Sequence, residues 1–281
     1  MMSTRSTESA QKPVTTAATG QVRSVALTHL ATDPRFSYAL LLPAMMDEQT
    51  RLLVSVHGSD RDPSHSLEAF RDLAMWHNAA ILAPLFPRHP EDDGDVLGYK
   101  MLRWDGVNYD ELLLQMVDDA HTRFATPAGR FLLSGYSGGG QFVERFTLFR
   151  ADTLLAASIG APGRVTLPDL ELPWWIGLQG AKERIGLEPN FDALRSIPVQ
   201  VVVGNVDVTD ANEIRRDSEL WMENSQVAGA TRLERSTTLY RSLVELGVDA
   251  RLDVMEGQAH DPGVAHVLIK MFLVHHLANG R

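Results

Sequence analysis

Short apolar runs rich in valine and leucine alternate along this chain with longer segments whose apolar residues recur every three to four positions. The runs fall at 22–28, 38–42, 52–56, 80–83, 130–133, 154–159, 199–203 and 251–255. Several are continuously apolar, the pattern of strands buried on both faces of a parallel sheet. Helical spacing marks 66–78, 109–124, 141–150, 231–246 and 263–277. In the second of these, Leu112, Leu113, Met116, Val117, Ala120 and Phe124 share one face, and Asp118, Asp119 and Arg123 share the other. Gly247 is placed to end the fourth. Alternation of this kind predicts a doubly wound α/β architecture: a mostly parallel eight-stranded sheet with helices on both faces. No helical pattern separates the first two runs, which predicts an antiparallel hairpin at the sheet edge.

Two stretches break the rhythm. Residues 161–197 carry Pro162, Pro168, Pro173, Pro189 and the pair Trp174-Trp175, and read as a small lid inserted after the sixth strand. Residues 84–108 form a second irregular insert holding the acidic run Glu91-Asp92-Asp93-Gly94-Asp95. The first 21 residues are polar and Ser/Thr-rich and read as a disordered leader, with 22–281 as a single domain. No repeat of 20–50 residues is visible, which argues against a solenoid or propeller.

Composition narrows the function classes. With 281 residues, 44% hydrophobic and 22% charged, the chain can bury a large core. Its formal net charge is −10 and it has no basic cluster, so the footprint of a nucleic-acid partner is missing. Cysteine is absent, which excludes disulfides, cysteine-ligated zinc and a thiolate nucleophile. No apolar run reaches the roughly 18 residues of a membrane span, and the first 20 residues lack the apolar core of a secretory signal. A cytoplasmic location is the expectation.

The chemistry centres on Gly135-Tyr136-Ser137-Gly138-Gly139, a G-x-S-x-G motif with an apolar strand before it and a helical segment after it. A strand-to-helix turn lifts the serine hydroxyl above the sheet edge, and small neighbours let the backbone pass. The helix N-terminus beneath it favours developing negative charge. A serine needs a base, and the base needs an orienting group. In an α/β sheet both should sit on loops at the carboxyl ends of later strands. Asp207 follows the run 199–203, and His260 follows the run 251–255. Asp210 is the rival orienting acid, and Asp261 is placed to cap the last helix. Donors for a tetrahedral oxyanion come from the amide of Gly138 and from the His57-Gly58-Ser59 loop, through Ser59 or Gly58. His57 reads as a residue that fixes this loop. Tyr136, Trp174 and Trp175 are candidates to line a substrate pocket.

In their joint order, His57-Gly58, Gly135-Tyr136-Ser137-Gly138-Gly139, Gly204-x-x-Asp207 and His260 resemble the α/β-hydrolase superfamily over residues 22–278. The short lid is similar to that of small esterases of the feruloyl-esterase and polyhydroxyalkanoate-depolymerase-like branch. His57-Gly58 lacks the further glycines of the HGGG-type esterase loop, and the absence of cysteine departs from the dienelactone hydrolases. The resemblance implies a cofactor-free serine esterase that acts on a small-molecule ester, with no nucleic-acid or membrane partner. It leaves the oligomeric state open. The same machinery also suits thioesters, amides or activated C–C bonds. Two other classes compete: a catalytically silent binding protein of the same fold, and a metal hydrolase using His57, Asp60, Asp62 and His65 or the acidic run. The spacing of that set matches no helical zinc pair, and the run lacks a full calcium-loop pattern.

Overall fold

Eight strands join in one sheet: β1 (Val22–His29), β2 (Ser37–Pro43), β3 (Arg51–Val56), β4 (Ala79–Leu85), β7 (Phe131–Tyr136), β8 (Leu154–Gly160), β9 (Val199–Gly204) and β10 (Ala250–Met255). Their order is β1-β2-β4-β3-β7-β8-β9-β10. The computed structural model describes residues 20–88, 98–209, 216–218 and 220–279, so nearly all of the leader and the run 91–95 lie outside the described residues. From β4 to β10 every neighbouring pair is parallel, whereas β2 runs antiparallel to both β1 and β4. Each of the eight apolar runs coincides with one of these strands, and the edge hairpin is present.

Alternation along the strands divides the core into two layers. Leu40, Leu42, Val54 and Leu133 pack toward α3 (Tyr109–Phe124), α4 (Gly138–Arg150) and α7 (Arg232–Glu245). Leu41, Leu53 and Leu132 face the other way, toward α1 (Pro63–Ala69), α2 (Arg71–Trp76) and α8 (Pro262–Asn279). The helix expected at 66–78 is two. It begins earlier, where Asp62 caps the amide of Ser64 and Pro63 opens the first turn, and it breaks at Phe70. The strand expected to stop at Leu133 runs on to Tyr136, because Ser134 and Gly135 still pair with Ser55 and Val56 of β3.

The irregular inserts are tied down by charge. Asp110, fully buried at the start of α3, accepts from Arg103 Nε at 2.9 Å and from Arg150 Nη2 at 2.6 Å. Arg103 sits on the small hairpin of β5 (Arg103–Trp104) and β6 (Val107–Asn108), and also donates to Ile185 O at 3.2 Å. One carboxylate therefore joins the first insert, α3, α4 and α5 (Ala181–Ile185) of the 161–197 segment. A further short helix, α6 (Phe191–Arg195), leads into β9. Among the described residues no helix is long and apolar enough to cross a membrane.

Candidate active site

Ser137 stands between β7 and α4 with φ 57° and ψ −111°, a backbone region that non-glycine residues rarely occupy. Close packing holds it there. A Cβ on Gly135 would lie 2.5 Å from the carbonyl of Gly139, and one on Gly139 would collide with Val56 O. The Ser137 amide donates to Gly160 O at 2.8 Å, and its carbonyl accepts from Gln141 at 3.1 Å. The side chain stays partly exposed, and its hydroxyl has no hydrogen-bond partner among the described residues. Catalytic hydrogen bonds commonly tighten only once substrate arrives.

Two loops bring the acid and the base together. Because β9 and β10 are parallel neighbours, the chain leaves both at the same sheet edge. Asn205 N donates to Met255 O and Val206 N to Gln258 O, both at 3.0 Å. Gly204 lies so close to Gln258 O that no side chain would fit. Thus joined, the loops place His260 Nδ1 2.8 Å from Asp207 Oδ2. Asp207 is buried, and Arg232 Nη1 at the start of α7 donates to its other oxygen at 3.1 Å. Burial pushes this carboxyl upward, but the His260 hydrogen bond and the Arg232 charge outweigh it and hold it below the usual carboxylate range. The ring of Tyr136 lies 4.9 Å from the imidazole of His260 at 32°. Through Tyr136 the base lies beside the elbow. Asp210, the rival acid, is outside the described residues. Asp261 caps α8, accepting from Gly263 at 2.8 Å.

The oxyanion candidates also meet. A Cβ placed on Gly138 would lie 3.0 Å from Ser59 Oγ and 2.5 Å from Tyr99 Oη. The carbonyl of Gly58 accepts from His57 Nδ1 at 2.8 Å, Tyr99 Oη at 2.9 Å and Arg61 N at 3.2 Å. These bonds fix the plane of the 58–59 peptide, and the Ser59 amide points opposite to that carbonyl. Neither Ser59 N nor Gly138 N has an acceptor among the described residues. Trp174 packs edge-on against Phe149 at 5.8 Å. Trp175 is buried, and its indole donates to Leu220 O at 2.9 Å.

His57 holds the loop. Its Nδ1–H is donated to Gly58 O, and its Nε2 accepts from Phe86 N at 3.1 Å. Burial pushes this imidazole down to about 4. Between the ordinary histidine value of about 6.5 and that value, the unfolded chain takes up a proton that the folded chain refuses. Stability therefore falls with pH across this window, by about 3 kcal/mol in all for His57. Urea denaturation at pH 7.5, 6 and 5 should show a shallower decline for His57→Gln than for the native chain, by up to about 1.4 kcal/mol per pH unit. Parallel declines would show that His57 is not buried neutral. His57 does not join His65 in a metal set, since His65 is exposed and lies against Asp60 at 3.2 Å and Asp62 at 3.6 Å. No group of three or more metal-binding side chains converges among the described residues.

Sequence reasoning missed Arg232, which lies 25 positions from the acid it clamps. No local pattern distinguishes it from other arginines of α7. The tilted contact of Tyr136 with His260 is equally hidden in the sequence.

No protein-family model and no curated protein match the sequence. Solved structures do. The chain is similar to the poly(3-hydroxybutyrate) depolymerase LpqC of Bordetella parapertussis, with TM-score 0.72 and 19% identity over 91% of each chain. Poly(aspartic acid) hydrolase-1 of Sphingomonas sp. KT-1 aligns with TM-score 0.67 and 21% identity, over 85% of this chain and 93% of its own. A ferulic acid esterase aligns with TM-score 0.59 and 14% identity, over 92% and 98%. The chain has the α/β-hydrolase fold.

Proposed function

We propose that the protein is a serine hydrolase that cleaves a carboxylic ester through an acyl-enzyme. The observation that carries this reading is the His260–Asp207 bond at 2.8 Å, formed beside an elbow that holds Ser137 at φ 57°. Asp207 accepts from Nδ1, so Nε2 is the nitrogen left to act as base. Ser137 Oγ attacks the carbonyl carbon and passes its proton to Nε2. The amides of Gly138 and Ser59 receive the oxyanion. Collapse expels the alcohol, which takes the proton from His260, and water repeats the sequence to release the acid. The hydrolase names of the structural neighbours agree with this chemistry, and their depolymerase and ferulic acid esterase members favour an ester substrate and the short-lid esterase branch. Trp174 and Tyr136 border the substrate in this reading.

A fluorophosphonate probe tests it. Labelling should map to Ser137 by peptide mass spectrometry, vanish in Ser137→Ala, and fall at least about tenfold in rate in His260→Ala. An unlabelled native chain would leave a silent binding protein as the better reading.

A further inference from the structure

Four arginines, Arg145, Arg232, Arg235 and Arg164, gather within reach of one another's charge, and two of them pair with Glu144 and Asp207. The segment that carries the fourth begins at Gly160, whose carbonyl is held by the amide of Ser137, and turns at Ala161 with φ 36°. It continues through Gly163, whose carbonyl accepts from Arg235 Nη1 at 2.6 Å. At Thr166 its amide donates to Glu144 Oε1 of the nucleophile helix at 3.3 Å. Arg164 is thus pinned between α4 and α7 within four residues of a carbonyl bonded to the nucleophile.

Among the described residues, the charges in this cluster do not balance. Asp207 is engaged by Arg232 and His260. Glu144 lies 3.7 Å from Arg145, and burial pushes its carboxyl up to about 8, which weakens it as a counter-charge. Arg235 spends its donors on the carbonyls of Gly163, Gly229 and Ala230 and on the amide oxygen of Gln226. Arg164 has no ion pair and no hydrogen bond among the described residues, and its Nε is sealed from solvent without a partner. Burial, then the charges of Arg235, Arg145 and Arg232, push Arg164 down to about 10, so it stays a cation at neutral pH. Among the described residues, Arg164 thus has no counter-charge of its own. Burying unpaired cations is strongly unfavourable unless an anion joins them. Arg164 is half-buried as a whole, although its Nε is sealed.

We propose that the ester cleaved at Ser137 carries a carboxylate, and that Arg164 is the specificity residue that binds it. This rests on the serine-hydrolase reading. The planar guanidinium receives a carboxylate through two parallel N–H···O bonds, a geometry that lysine lacks. The neighbouring arginines deepen the attraction without touching the ligand.

Two matched pairs of esters test the proposal and locate the carboxylate. 4-Nitrophenyl hydrogen adipate against 4-nitrophenyl hexanoate places it on the acyl side. 4-Acetoxybenzoate against its methyl ester, read by acetate release, places it on the alcohol side. In one pair the native enzyme should favour the charged ester at least about tenfold in kcat/KM. In Arg164→Gln that ratio should fall about ten- to hundredfold, mainly through KM, with Arg164→Lys intermediate. Calorimetry with adipate and 4-hydroxybenzoate should show binding of the matching product to the native chain and its loss in Arg164→Gln. If neither charged ester is favoured, or if both members of a pair decline together in both variants, Arg164 is structural and the proposal falls. Product binding that requires Arg164 in a chain whose turnover survives Ser137→Ala would instead keep the anion subsite and overturn the hydrolase mechanism.

Discussion

Ser137→Ala should fold normally and lose at least about 10⁴-fold in kcat toward its preferred ester. The loss is this large because the hydroxyl is the only atom that forms the covalent bond. The residual rate would come from the oxyanion donors and substrate binding alone. Stability should behave differently. Alanine keeps a Cβ at φ 57°, so it inherits the backbone strain of the elbow, whereas glycine is free of it. Ser137→Gly should therefore unfold at higher urea than Ser137→Ala, by about 1 kcal/mol, although both are inactive. Near-native turnover in Ser137→Ala would remove the serine mechanism. Equal stability of the two variants would remove the strain.

What could be read from the sequence was what is local or follows from topology. The elbow is contiguous: strand, turn and helix occupy adjacent residues, and the small residues the turn demands stand in the motif itself. The meeting of Asp207 with His260 follows one level up, because adjacent parallel strands deliver their outgoing loops to the same place. Contacts between distant elements leave no such mark. Arg232 and Arg164 are separated in sequence, and each comes close to the other only because α7 packs over the chain leaving β8. Trp175 shows the same limit, since an aromatic residue in an irregular segment gives no sign of its direction. Its indole in fact turns to Leu220 O. Polarity misled at β7 as well. Ser134 and Gly135 look like a strand end, yet the ladder to β3 continues through them and sets the height of the elbow above the sheet.

Asp207→Asn should cost about 10⁴-fold in kcat at neutral pH, and Arg232 determines why. The native carboxylate accepts at both oxygens, from His260 Nδ1 at 2.8 Å and from Arg232 Nη1 at 3.1 Å. An asparagine has one acceptor and one donor end. Turning its NH₂ toward Arg232 would set donor against donor beside a fixed cation, so the carbonyl oxygen faces Arg232 and the NH₂ faces His260. Nδ1 must then accept, the ring proton moves to Nε2, and the imidazole can no longer take a proton from Ser137. The damage is one of orientation, so it should be partly reversible. Replacing Arg232 with glutamine frees the amide to flip, because a neutral side chain can donate or accept. Asp207→Asn/Arg232→Gln should recover at least about tenfold over Asp207→Asn alone. Arg232→Gln by itself should slow the native enzyme, since removing one partner of a buried ion pair costs about 3–5 kcal/mol of stability and loosens Asp207. Steady-state kcat on the four members of this cycle, with folding checked by thermal denaturation, decides the matter. A double variant slower than Asp207→Asn would show that Arg232 does not dictate the amide's direction, and native-like turnover in Asp207→Asn would pass the orienting role to another carboxylate.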